Sequence, residues 1–71
     1  MNKSDAVRMI RIMASADGDC YVCARALFDQ AILAWPDVDW RTVAKEIRED
    51  KSWGNSIADN LENAIEGKPL D

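Results

Sequence analysis

Apolar and polar positions recur along this chain with a helical period, and the punctuation between them divides it into four segments. The first runs from about Ser4 to Ala16. Val7, Ile10 and Ala14 form one stripe with Ala6 and Met13 beside it, while Arg8 and Arg11 take the other side. Met9 and Ile12 widen the apolar arc. Ser4 or Asp5 is positioned to accept an otherwise unpaired backbone N–H at the start. Asp17-Gly18-Asp19 then breaks the helix.

The second segment, about Cys20 to Trp35, is apolar over most of its circumference. Cys20, Cys23, Ala24, Leu27, Ala31 and Ala34 share a side that Phe28, Ile32 and Trp35 extend. Only Tyr21, Arg25, Asp29 and Gln30 make a polar strip. A helix with so little polar surface packs on more than one side, so this one is expected to be the hub. Pro36 ends it by pushing the preceding residue out of the helical region.

The third segment spans about Trp40 to Lys51. Asp39 is a good cap for it, and Trp40, Val43, Ala44 and Ile47 are its buried stripe. Ser52-Trp53-Gly54-Asn55 makes a corner. The last helix runs from about Asn55 or Ser56 to Glu66, with Ile57, Leu61, Ala64 and Ile65 inward, and Gly67 and Pro69 stop it. No segment alternates apolar and polar residues over a strand length. The pattern predicts an all-α fold, a single compact domain over residues 1–71 with helices at about 4–16, 20–35, 40–51 and 56–66. The expected core is Val7, Ile10, Met13, Cys23, Leu27, Phe28, Ala31, Val43, Ile47, Ile57, Leu61 and Ile65.

Size bears on that core. A chain of 71 residues buries only about 60% of the surface its unfolded form exposes. A homodimer, or a partner that completes the core, is therefore physically reasonable. The 48% hydrophobic content fits a globular domain, yet no apolar run reaches the roughly 18 residues of a membrane span. The first residues lack the apolar core of a signal peptide, and two cysteines without an export signal point to a reducing, cytoplasmic setting.

Charge is uneven. Residues 1–36 carry Lys3, Arg8, Arg11 and Arg25 against Asp5, Asp17, Asp19 and Asp29 and are neutral. Residues 37–71 carry five bases against nine acids, so the whole net charge of −4 lies there. Direct nucleic-acid binding generally needs a basic face, so it is disfavoured, and a basic protein surface is the expected counterpart. Thr42 to Ile47, followed by Ser56-Ile57-Ala58, resembles a helix-turn-helix, but Ala44 and Gly54 are ten residues apart where about four are needed. A DNA-binding regulator is accordingly a minor alternative.

Cys20-Tyr-Val-Cys23 fits a redox centre, half a metal site or two small core residues. Asp17 and Asp19 beside Cys20 oppose thiolate formation. With no histidine, four zinc ligands would require two chains. Core thiols are the favoured reading, and a thiol redox or intersubunit metal protein the alternative. Asp17-Gly18-Asp19 fails as a calcium loop, because Met13 and Ser15 occupy ligand positions and Ala24 replaces the closing glutamate. The missing histidine also removes the commonest general base. No enzyme activity and no cofactor is expected.

Three tryptophans in 71 residues are the better clue. Trp35 and Trp40 are expected to close one end of the core. Trp53 is the candidate contact residue, surrounded by Glu46, Glu49, Asp50, Asp59 and Glu62. The favoured function is a small acidic protein-binding module, acting as an inhibitor, adaptor or regulator. By analogy of class, such domains include phage antagonists that occupy the nucleic-acid-binding surface of a basic partner.

Overall fold

The computed structural model describes residues 1–16, 21–50 and 55–69. Asp17 to Cys20, Lys51 to Gly54, Leu70 and Asp71 lie outside the described residues. The expectations for the Asp17–Asp19 turn, Cys20, Trp53 and the end of the third helix at Lys51 fall there.

Four helices form, and no strand is present among the described residues: α1 (Lys3–Ala16), α2 (Tyr21–Ala34), α3 (Trp40–Glu49) and α4 (Asn55–Glu66). α1 packs on α2 and α3, and α4 packs on the same two helices. The order around the core is therefore α1, α2, α4, α3. The radius of gyration is 10.7 Å, near the roughly 11 Å of a compact chain this long.

Helix ends follow from local chemistry. Asn2, not Ser4 or Asp5, caps α1: its Oδ1 accepts from the Asp5 backbone N–H at 2.8 Å, which starts the helix earlier than expected. Asp39 caps α3 as its sequence predicts, accepting from the Thr42 N–H at 3.3 Å and the Thr42 hydroxyl at 2.7 Å. Asp50, with extended backbone, closes α3, and its N–H bonds to the carbonyls of Glu46 and Ile47. At the end of α4, Gly67 adopts a φ of 70°. The Gly67 N–H then reaches the Ala64 carbonyl and the Lys68 N–H reaches the Asn63 carbonyl, a Schellman closure followed by Pro69.

Ile10, Phe28, Val43, Ile47 and Leu61 are fully buried at the centre, with Ala6, Ala44 and Ala58 allowing close helix approach. The α3 stripe of Trp40, Val43, Ala44 and Ile47 is buried as its spacing requires. Met13, Ile57 and Ile65 pack against the core but stay partly exposed.

The second helix departs from expectation. It is not a hub: its buried residues are Ala24, Phe28 and Ala31, whereas Cys23 is exposed and Leu27 only half-buried. Leu33 is 81% exposed and Val22 67%. A helix that is apolar nearly all round carries no periodicity to fix its rotation. Seating Phe28 at the centre turned the Cys23 and Ala34 side outward. Cys23 is also disulfide-bonded, so the buried free thiol expected there is absent. No helix among the described residues is long and apolar enough to cross a membrane.

Candidate functional site

Four of the acids expected to surround an aromatic anchor pair with bases of α1 and α3. Along α3, residue 46 lies on the side toward α1, residue 48 on the side toward α4, and residue 49 between them, with Asp50 just past the helix end. Glu46 pairs with Lys3 of α1 at 3.1 Å, and Asp50 pairs with Arg11 of α1. These two carboxylates tie α3 to α1, and their charge is offset by bases of the neutral first half.

The other two acids meet on the opposite side. Arg48 donates through Nη2 to Asp59 at 2.6 Å and to Glu62 at 2.9 Å, bridging α3 to α4. Asp59 and Glu62 are three residues apart in α4, so a helix brings them to one face, and a single guanidinium spans both. Asp59 first, and then Glu62, hold Arg48 above the ordinary arginine range. Two carboxylates against one guanidinium leave this cluster negative. The Asp59 side chain is 56% exposed and that of Glu62 41%. Glu49 is exposed and makes no ion pair among the described residues. Trp53, the proposed anchor between them, lies outside the described residues.

Trp35 and Trp40, which bracket Pro36 to Asp39, close one end of the core as expected. Trp40 is 5% exposed, Trp35 packs partly buried against the core, and Asp37 between them is exposed.

One polar residue that the sequence reading passed over is central. Asn60 is only 2% exposed and donates through Nδ2 to the Tyr21 carbonyl at 3.0 Å, joining α4 to the first turn of α2. Its Oδ1 has no hydrogen-bond partner among the described residues. The signal was available, since Ile57, Asn60, Leu61 and Ala64 follow the i, i+3, i+4, i+7 spacing of one helix face.

Among the described residues, no group of three or more acidic or cysteine side chains is placed to hold a metal ion. What the described surface offers is carboxylates held by a neighbouring base. No protein-family model, curated protein or solved structure matches the chain.

Proposed function

We propose that this chain is a protein-binding module, an inhibitor, adaptor or regulator whose partner presents a basic surface. The single observation that carries this reading is Arg48 held between Asp59 and Glu62, on a half of the chain that contains the whole net charge of −4. Fixing two exposed carboxylates before binding reduces the side-chain entropy lost in the complex. The acids of α4, Asp59, Glu62 and Glu66 with no base in that helix, also steer a basic partner toward that side. An antagonist that occupies the nucleic-acid-binding surface of its partner is one form this module would take.

The test is capture of the partner from the native host, followed by titration of the purified pair. Converting Glu49 and Glu62 to Gln and Asp59 to Asn should weaken binding at least tenfold and flatten its salt dependence. Binding that is insensitive to salt and unchanged by these substitutions overturns the proposal.

A second reading rests on Cys23. An exposed, disulfide-bonded cysteine in the first turn of α2 suits thiol–disulfide exchange. Loss of activity in the Cys20→Ser, Cys23→Ser double variant, with partner binding retained, favours this reading over the first.

A further inference from the structure

The buried side of α2 is Ala24, Phe28 and Ala31. At about 100° per residue, Arg25 and Ile32 lie on one flank of that side, and Cys23 and Leu27 lie on the other. The helix is turned toward the first flank. Ile32 packs against the core and the Arg25 side chain is only 12% exposed, whereas Leu27 is half-buried and Cys23 exposed. This rotation is awkward for Arg25. Its Nε donates to Asp29 at 3.0 Å, but its Nη1 is buried with no hydrogen-bond partner among the described residues.

Apolar burial does not select this rotation. Turning α2 by about 40° would bring Leu27 inward and carry Ile32 outward, with Phe28 still on the inner side. Leu and Ile have the same number of carbons, so the exchange is close to neutral. Arg25 would reach water for its unpaired nitrogen, which favours the turn. One contact opposes it. The same turn moves backbone atoms by about 1.5 Å, enough to break the 3.0 Å bond from Asn60 Nδ2 to the Tyr21 carbonyl. Asn60 is 2% exposed and its Oδ1 is already unpaired among the described residues, so both of its polar atoms would then lie unsatisfied in the interior. We infer that Asn60 is a positioning residue that fixes the rotation of α2 through the Tyr21 carbonyl. It thereby keeps Leu27 at the margin and the disulfide-bonded Cys23 facing outward. A single buried Asn selects register in coiled coils by the same physics, at a cost in stability.

Urea unfolding of the purified chain, with its disulfide intact, tests this by comparing Leu27→Ala with Ile32→Ala in three backgrounds. With Asn60 present, Ile32→Ala should lower the folding constant about tenfold more than Leu27→Ala. With Asn60→Leu the order should reverse, because the helix is free to turn and Leu27 moves inward. Asn60→Ala should give the same reversal, and it serves should the larger leucine not fit. The Asn60→Ala chain should fold, since it leaves no buried polar atom on that side chain. A residue that only supports stability would lower all the folding constants and leave the order of Leu27 and Ile32 unchanged. That unchanged order in the Asn60→Ala background, or loss of folding on that substitution, overturns the inference.

Discussion

The indole N–H of Trp40 donates to the backbone carbonyl of Trp35, 3.0 Å away. The same carbonyl accepts the Val38 N–H at 3.2 Å. It stands at the end of α2, where the last carbonyls of a helix have no intrahelical partner. One oxygen therefore satisfies the indole and closes the connection that carries the chain around Pro36. That bond lets the large ring of Trp40 be buried without leaving a polar group unpaired.

Trp40→Phe should test this bond while keeping an aromatic ring in place. Losing one neutral hydrogen bond and some area is expected to cost about 1–2 kcal/mol, and Trp40→Ala about 3–5 kcal/mol. Urea unfolding followed by circular dichroism at 222 nm reads both. Equal losses in the two variants would show that the hydrogen bond, and not packing, dominates.

Asn60→Asp places a carboxylate where the Tyr21 carbonyl requires a donor. A buried, unpaired charge should cost about 3–5 kcal/mol at pH 7. Burial would hold the new carboxyl above its unfolded value of about 3.9, so the folded state takes up a proton more readily. The penalty should be full above the folded-state pKa and fade as pH falls toward the unfolded value. Thermal melts of variant and wild type from pH 7 to pH 4 should converge. A difference that stays constant with pH would show that the carboxylate escapes to solvent.

Gly67→Ala isolates the cost of backbone conformation. A Cβ at Gly67 would meet nothing within 4 Å, so only the φ of 70° opposes it. The expected loss is about 1 kcal/mol by urea titration. No measurable loss would mean that the Schellman closure contributes little to holding α4.

Acid sensitivity should centre on the α3 cap. The Thr42 hydroxyl, and after it the Thr42 backbone N–H, hold Asp39 below the usual carboxylate range. Lys68 does the same for Glu66. A carboxylate with a depressed folded-state pKa contributes stability above its unfolded value, and that contribution is lost as pH falls through the folded value. Thr42→Val removes the main cause at Asp39. It should therefore flatten the dependence of unfolding free energy on pH between about 5 and 3, relative to wild type. An unchanged slope would count against this origin.

The acidic surround was legible in the sequence only as a surplus of charge. Glu46, Glu49, Asp50, Asp59 and Glu62 are easily counted, but their pairing depends on which helix each side of α3 meets. Lys3 and Arg11 approach from α1 and take Glu46 and Asp50. Arg48 reaches across to α4 and gathers Asp59 with Glu62. Sequence separation hides both arrangements, because the pairs join residues brought together only by packing.

The sequence by itself determined the four helices, the Asp39 cap, the stripe from Trp40 to Ile47 and the stop at Gly67. Those features depend on residues within one turn of each other, where hydrogen bonding and helical period act without reference to the rest of the chain. Tertiary structure decided the rotation of α2, the pairing of Asn60 with the Tyr21 carbonyl and the division of the acids. An almost uniformly apolar helix is indifferent to which side it buries until neighbours compete for its surface. Here Phe28 took the interior, and Val22 and Leu33 were left facing outward.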